Sequence, residues 1–514
     1  MKIFNAKQIY DADKFTIDKQ QITSNQFMER AAIQIFNWIH SRLQGAQTKI
    51  YLFSGIGNNG GDGLVLARHL QEHGYNVEVH IVNYSEHRSE DFLINLDRLK
   101  EIKIWPNFLS EESELPTIGK EDIVVDAIFG IGLNRVPDLW VINLMQHLNN
   151  SNAFILSIDM PSGLFMDSGP TNMDGVIKAN IVLTFQVPKL VFFLPETGKF
   201  FDHWEILDIG LDQEFLFKSE SDYELIGKNE VLSMYIPREK YSHKGSYGHS
   251  LIIGGSYGKI GAVILAAKGS LCAGSGLVTA YVPKCGYVPI QTALPEAMVV
   301  TDSDEREISN IDYDVAPTVI GIGVGIGTSG ATVKAFSEFL HKNKVPLVID
   351  ADGLNILSKN PDLFKKMPPN TVLTPHPKEL ERIIGKWKDD FDKLKKTKEF
   401  SKKFDCIVII KGANSIVIYG DKGYVNTTGN PGMATGGSGD VLTGIITGLI
   451  AQGYLPLHAA IFGVFIHGRA ADIAVENCGF QALIASGIID NIGKAYLELF
   501  QVREPEDVQG ESEQ

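Results

Sequence analysis

Cysteine is scarce. Cys272, Cys285, Cys406 and Cys478 are the only four in 514 residues, and none belongs to a C-x-x-C pair. That spacing argues against a disulfide framework or a zinc ribbon. No run of 18 apolar residues occurs. The most apolar region, 441–466, is interrupted by Gly444, Gly448, Gln452, Gly453, Pro456 and His458, so no transmembrane helix is expected. The first residues, MKIFNAKQIYDADKF, carry charges every few positions and no apolar core, so no signal peptide is expected there. Positive charge is in deficit: 47 Lys and Arg against 62 Asp and Glu leave a net charge of −15. Such a chain repels phosphate backbones, which argues against nucleic acid as a partner. A soluble, cytoplasmic protein with no membrane partner is the resulting expectation.

What the chain has is a globular balance, 44% hydrophobic and 21% charged, with 50 glycines. The length suits about three domains or two large ones. Short apolar runs alternate with helical stretches, which predicts parallel sheets covered by helices. In the first part the strand candidates are 49–53, 77–82, 122–129, 153–160 and 179–185. A helix is expected over 24–40, capped by Ser24 or Asn25. The segment 211–230 changes character, and SESD at 219–222 has no strand period. A linker is placed near 212–224. Strand candidates resume at 249–255, 276–282, 318–323, 346–352, 371–376, 406–412 and 415–420. Helices are expected over 261–273, 388–404 and 440–452. The division is therefore 1–218, 225–504 and an acidic polar tail, 505–514, expected to fray.

Two glycine loops carry chemistry. The first, SGIGNNGGDG over 54–63, follows a strand and precedes a helix expected over 64–73. Gly55-x-Gly57-x-x-Gly60 matches the dinucleotide fingerprint, yet the second strand ends Ile81-Val82-Asn83-Tyr84, without the acid that would hold a ribose. A hydride-transfer domain is thereby disfavoured. The loop can still present N–H groups to an anion, or be only a glycine-rich turn. Asp126 and Asp159 stand at two further strand ends, and Ser162 follows closely. Asn59, Asp126 and Ser162 would offer hard oxygens, suited to an alkali or alkaline-earth ion rather than zinc; helix capping is the alternative use of such groups.

The second loop, TGGSGD over 435–440, leads into the apolar helix VLTGIITGLI. Its N–H groups suit a phosphate or a developing negative charge. Asp440 could take a proton from a hydroxyl nucleophile, or simply cap the helix. No Gly-Lys here is followed by Ser or Thr, so this is not a Walker P-loop. His69 and His73 lack the H-E-x-x-H pattern and are read as a solvated helix face. DDFDKLKKTKEF is read as a charged amphipathic helix.

FMERAA (27–32), GIGNNGGDG (55–63), VVDAIFGIGL (124–133) and DMPSGL (159–164) together resemble the NAD(P)H-hydrate epimerases. The resemblance implies a Rossmann-like αβα sandwich. It implies substrate contacts at Asn58, Asn59, Gly60, Gly61, Asp62, Gly130, Ile131, Gly132, Leu133, Asn134, Arg135, Val136 and Asp159. A potassium ion is implied on Asn59, Asp126 and Ser162, and Asp159 becomes the candidate acid/base.

SHKGSYG (242–248), GGSYGKIGA (254–262), GSGLVT (274–279), IDADGLN (349–355), LTPHPKE (373–379), KGANS (411–415) and GNPGMATGGSGD (429–440) resemble ADP-dependent NAD(P)H-hydrate dehydratases of ribokinase-like α/β fold. Asp440 is then the acid/base at the substrate hydroxyl. Ala262, Gly325 and His376 line the hydrated nicotinamide. Lys411, Gly412, Ala413, Asn414, Ser415 and Gly439 contact the nucleotide, and Glu379 holds magnesium through water. The whole chain thus resembles a bifunctional repair enzyme for NADHX and NADPHX. It would use ADP as co-substrate, release AMP and phosphate, and act as a homo-oligomer. Two departures stand out: Gly321-Ile322-Gly323-Val324-Gly325 lacks the proline of the family's G-P-G-L-G, and Lys378 replaces a glycine. The competing readings are a ribokinase-like small-molecule kinase with a non-catalytic N-terminal domain, and a binding scaffold.

Overall fold

The structure is a computed structural model and describes residues 1–170 and 172–501; the polar tail lies outside the described residues. The chain forms two compact units. One spans Lys2–Tyr223 with Asp389–Asp392, and the other Met1, Glu224–Lys388 and the chain from Lys393.

Each strand expected in the first unit forms because an apolar run is buried on both faces, as a parallel sheet between helices requires. Ile50–Ser54 is buried at every position. It pairs in parallel with Val77–Val82 on one side and Ile123–Ala127 on the other. Phe154–Ile158 and Ala179–Phe185 continue the sheet. The edges are Asn107–Leu109 and Phe201–Leu207, which the sequence analysis did not anticipate. Phe201–Leu207 alternates too weakly to stand out, and the other edge is three residues long. Helices Ser24–Leu43, Asn58–Glu72 and Glu90–Glu101 cover a core of Ile35, Phe36, Leu66, Leu70, Phe92, Leu52, Ile81, Val125 and Leu156.

Several boundaries differ from expectation. Thr23, not Ser24 or Asn25, caps the first covering helix; its side chain accepts from Gln26 N, and Gln26 reaches back to Thr23 N at 2.8 Å. The helix after the first glycine loop begins at Asn58 rather than 64. The loop is therefore already the first helical turn, with its N–H groups unpaired by the helix. The segment read as a linker near 212–224 is ordered: Asp212 caps helix Gln213–Lys218, and strand Tyr223–Ile226 follows. A short helix with one cap and no apolar period leaves little trace in sequence. His69 is not a solvated group. Its Nε2 lies 2.6 Å from Glu29 Oε1, and both His69 and His73 pack against Phe36.

In the second unit, Met298–Thr301, Leu277–Val282, His249–Ile253, Val319–Ile322, Leu347–Ile349, Thr371–Leu373 and Cys406–Ile410 lie in that order, all parallel. The antiparallel pair Ile416–Tyr419 and Lys422–Asn426 continues this side, and strand Tyr223–Ile226 lies next to Lys422–Asn426. The apolar region 441–466 resolves into two buried helices, Ser438–Ala451 and Pro456–Cys478. Ser438–Ala451 lies directly on Ile260–Ala273: a Cβ on Gly444 would sit 2.0 Å from Ala266 O. Only glycine permits that approach of backbone to backbone. Among the described residues no helix is long and apolar enough to cross a membrane.

Both sheets reverse their winding once. In the first unit the reversal falls between Ile50–Ser54 and Ile123–Ala127, and in the second between His249–Ile253 and Val319–Ile322. A crevice opens beyond the carboxyl ends of the strands at such a point.

Candidate active sites in the two units

At the reversal in the first unit lies a cavity of about 970 Å³. Asn58, Asn59, Asp62, Gly130, Ile131, Gly132, Leu133, Asn134, Arg135 and Asp159 all line it. Val136 does not, and is 46% exposed. Gly60 and Gly61 do not line it either. A Cβ on Gly60 would meet Gly55 O at 1.9 Å, and one on Gly61 would meet the Met28 side chain at 2.7 Å. Their smallness folds the loop onto itself so that its neighbours face the cavity.

Asp126 is fully buried beside Phe53 and Ser157 in the sheet register. Its Oδ2 accepts from Ser157 Oγ at 2.8 Å and from Ser162 N at 2.9 Å, and its Oδ1 from Ser162 Oγ at 2.5 Å. Ser162 Oγ also accepts from Phe129 N at 2.8 Å. Burial pushes the Asp126 carboxyl above its ordinary value, and those hydrogen bonds only partly oppose it. The Asn59 side chain packs on Gly130, and its buried Nδ2 has no partner. Asp126 and Ser162 are thus joined by hydrogen bonds, and Asn59 lies against Gly130 of the loop that follows Asp126.

Asp159 sits one residue beyond strand Phe154–Ile158 with φ of +64°, a left-handed conformation that Asp tolerates better than most residues. Its Oδ1 accepts from Lys189 Nζ at 2.6 Å. Lys189 is 1% exposed and also donates to Thr184 Oγ1 at 2.5 Å and Phe185 O at 3.3 Å. Sequence reasoning missed this lysine, although one lysine inside the apolar run QVPKLVFF must be buried with a partner. It also missed Tyr10 and Asp13, on helix Ala6–Gln20, which line the cavity. Burial and then the Asp159 charge push the Asp13 carboxyl up to about 7, and Lys189 opposes them. Asp62 is driven well above the carboxylate range by burial and by Asp159 and Asp13.

In the second unit Asp350 organises the site. It is 2% exposed at the end of strand Leu347–Ile349. Its Oδ1 accepts from Lys411 Nζ and from Ala351 N, both at 2.8 Å, and its Oδ2 from Thr443 Oγ1 at 2.8 Å. Thr443 belongs to helix Ser438–Ala451, which Gly437 opens with φ of +89°. A Cβ on Gly439 would sit 3.1 Å from Lys411 Nζ. The lysine therefore lies against the glycine loop. Gly412 and Ala413 are exposed beside it, and Asn414 and Ser415 half-buried.

Asp440 occupies the first turn of that helix and is half-buried. Burial, followed by the Asp350 charge, pushes its carboxyl up to about 6; Lys411 opposes this and Asp352 adds to it. Asp352 Oδ2 accepts from Gly327 N at 3.0 Å. Gly325 packs on Ala262 and Lys259, so the two residues expected at the nicotinamide site do meet. The missing proline does not open the 321–325 loop. Gly323 and Gly325 adopt φ of +116° and +60°, and a Cβ on Gly323 would meet Asp350 O at 2.2 Å. His376 caps helix Pro377–Ile384, accepting from Lys378 N and Glu379 N, while Glu379 Oε2 accepts from His376 N at 2.9 Å. Burial raises the Glu379 carboxyl, and the nearby Asp350 charge adds to that rise. Below the glycine loop His467 is 5% exposed. Burial first and Lys411 second push its imidazole down to about 3, so it stays neutral. Asp350, Asp352, Thr443 and His467 were not singled out from sequence. IDADGLN signals the first two, since acids at a strand end face the crevice.

Two family models divide the chain. One, described as YjeF-related protein N-terminus, matches residues 24–191, and the other, NAD(P)H-hydrate dehydratase, matches 250–494. The bifunctional NAD(P)H-hydrate repair enzyme Nnr of Moorella thermoacetica is 34% identical over 95% of this chain and 96% of its own length. The chain belongs to the bifunctional NAD(P)H-hydrate repair enzymes. The Nnr of Coxiella burnetii is 33% identical over 95% of this chain and 98% of its own. Among solved structures, the ADP/ATP-dependent NAD(P)H-hydrate dehydratase of Bacillus subtilis, co-crystallised with ATP and Mg²⁺, is 26% identical. It covers 53% of this chain and 97% of its own, with a TM-score of 0.46. As a member of the repair family this chain is an enzyme with an epimerase half and a dehydratase half acting on NAD(P)H-hydrate. The kinase and scaffold readings are set aside.

Proposed function

We propose that the first unit interconverts R and S NADHX and NADPHX at the Asp159 cavity. In the second unit, on this reading, Asp440 drives dehydration of the S form with ADP, releasing AMP and phosphate. The observation that carries this reading is Asp440: a carboxyl poised near 6, at the N-terminus of a helix whose glycine loop faces Lys411. Near neutral pH such a group is ionised, yet basic enough to take a proton. It would remove the proton of the C6 hydroxyl as that oxygen attacks the terminal phosphorus of ADP. The loop N–H groups and Lys411 would hold the phosphate oxygens while charge builds on them. The C6–O bond then breaks with the electron pair leaving on phosphate as the ring nitrogen lone pair forms a C6=N1 iminium; a proton leaves C5, its bonding pair becomes the C5=C6 bond, and the π pair returns to N1. Ala262, Gly325 and His376 would contact the nicotinamide, and Lys411 to Ser415 the nucleotide.

For the epimerase half, Asn58 to Asp62, Gly130 to Arg135 and Asp159 would bind substrate, with Asp159 as an acid/base. A potassium ion suits Asn59, Asp126 and Ser162: the side chains offer hard oxygens, and the Asp126 carboxyl is buried beside Ser162. Bound there, the ion would supply positive charge next to the substrate loops. Among the described residues no group of three or more His, Cys, Asp or Glu forms a metal cluster. Magnesium would therefore be held by Glu379 with water and nucleotide phosphates, a common arrangement for this ion.

The test incubates the protein with mixed R and S NADHX and with ADP, ATP or neither, following NADH by absorbance. Full conversion with ADP is expected, abolished in Asp440→Ala and limited to the S form in Asp159→Ala. No NADH with either nucleotide would refute the dehydratase assignment. Equal consumption of R by Asp159→Ala would refute the epimerase one.

A further inference from the structure

Helix Ala6–Gln20 closes one side of the epimerase cavity. Ile9, Tyr10, Asp13, Lys14 and Ile17 line it, a spacing that puts them on one face of the helix. Asp13 is thus an acid within an otherwise cavity-facing stripe. The charged and titratable groups around it are Tyr10 and Lys14 on its own helix, Asp62 on Asn58–Glu72, and Asp159 and Lys189 beyond the sheet. Lys189, the buried cation of the cavity lining, is already bonded to Asp159 at 2.6 Å. Three carboxyl groups therefore line the cavity, Asp13, Asp62 and Asp159, and Asp13 and Asp159 stand in unlike surroundings. One is paired with an ammonium group, while the other is half-buried and must share that same cation. Two carboxyls whose environments differ in this way divide acid and base work between them.

We propose that Asp13 is the second catalytic group of the epimerase half, acting as general acid opposite the Asp159 carboxylate. The inference rests on the epimerase reading of this cavity. In the R-to-S direction the Asp13 carboxylic acid gives its proton to the C6 hydroxyl. The C6–O bond breaks with its electron pair on the departing water, and the N1 lone pair forms a C6=N1 iminium. A second water attacks C6 from the opposite face and loses a proton to Asp159, and the π pair returns to N1. One water leaves and one enters, and exchange through solvent moves the proton from Asp159 back to Asp13, so nothing is consumed. The reverse direction exchanges the two roles. Asp13 must be protonated to act as acid, and its carboxyl is held near 7. R-to-S conversion should therefore fall as pH rises through that value.

The experiment supplies the full-length enzyme with R NADHX alone, under ADP in excess, and reads NADH formation against pH. Asp13→Asn should slow the reaction about 100-fold or more and abolish the alkaline fall. Asp13→Glu should recover part of the rate and display a fall of its own. S NADHX, assayed in parallel, should give wild-type rates in every variant. Wild-type enzyme run in ¹⁸O-water gives a second readout that needs no variant. The C6 oxygen ends in the released phosphate, so R substrate should yield ¹⁸O-phosphate, and S substrate should carry label only as far as it first passes through the epimerase half. Unlabelled phosphate from R, or an Asp13→Asn enzyme within threefold of wild type, would overturn the proposal. Wild-type enzyme unable to consume R at all would instead overturn the epimerase reading itself.

Discussion

Replacing Asp440 with Asn should remove activity and add stability, and the two effects have one cause. The carboxyl is pushed up to about 6 from its ordinary value of 3.8, first by burial and then by the Asp350 charge. One unit corresponds to ~1.4 kcal/mol, so the ionised form costs the fold at most about 3 kcal/mol. The sign follows from proton linkage. The folded chain binds this proton more tightly than the unfolded chain, so stability is lost as pH rises from about 4 through about 6. Asp440→Asn keeps the shape and drops the charge. At pH 8 it should be more stable by about 1–3 kcal/mol, or several degrees in melting temperature for a unit of this size. At pH 4 the gap should close. Scanning calorimetry of the whole chain reads this directly, and the relevant transition is the one that added ADP moves upward. Dehydration of S NADHX should rise with pH through about 6 in the wild type and be lost about 100-fold or more in the variant. A stability gap that does not change with pH, or an acid limb below pH 4.5, would refute the argument.

Lys189→Met should cost about 3–5 kcal/mol, since the Asp159 carboxylate would stay buried without its partner; chemical denaturation measures the loss, and R NADHX should accumulate while S is still consumed. Gly444→Ala drives a Cβ to within 2.0 Å of Ala266 O, and should destabilise the dehydratase half by several kcal/mol, a change that denaturant midpoints would register. Exchanging potassium for a bulky organic cation should slow R-to-S conversion at least tenfold, and an unchanged rate would remove the ion from Asn59, Asp126 and Ser162.

The parallel sheets were legible because fully buried strands read as unbroken apolar runs, as Ile50–Ser54 and Cys406–Ile410 do. Edge strands such as Phe201–Leu207 were not, for none of that strand's positions is fully buried and Asp202 and His203 are exposed, which blurs the pattern. The loop groups Asn59, Asp126 and Asp440 were legible because they stand next to strand ends or glycines. Lys189, Asp13 and His467 were not, because each acquires its character from neighbours distant in sequence. Lys189 lies 30 positions from Asp159, Asp13 answers to charges on other elements, and His467 is neutral through burial and Lys411. Sequence shows where a charged residue is; only folding shows what desolvates it. The order within 212–224, where the boundary between the units also falls, went unread for a related reason, since Asp212 caps a helix too short to have a period.

Both crevices exist because the winding of each sheet reverses, a property of chain path rather than of any reactive side chain. Catalysis and shape are consequently separable in this molecule. Removing the Asp159 carboxyl would leave the glycine loops and the helix Ala6–Gln20 that line the first cavity in place. A gene copy free to drift could thus shed its chemistry in one or two steps and persist as a receptor, with no new fold to invent.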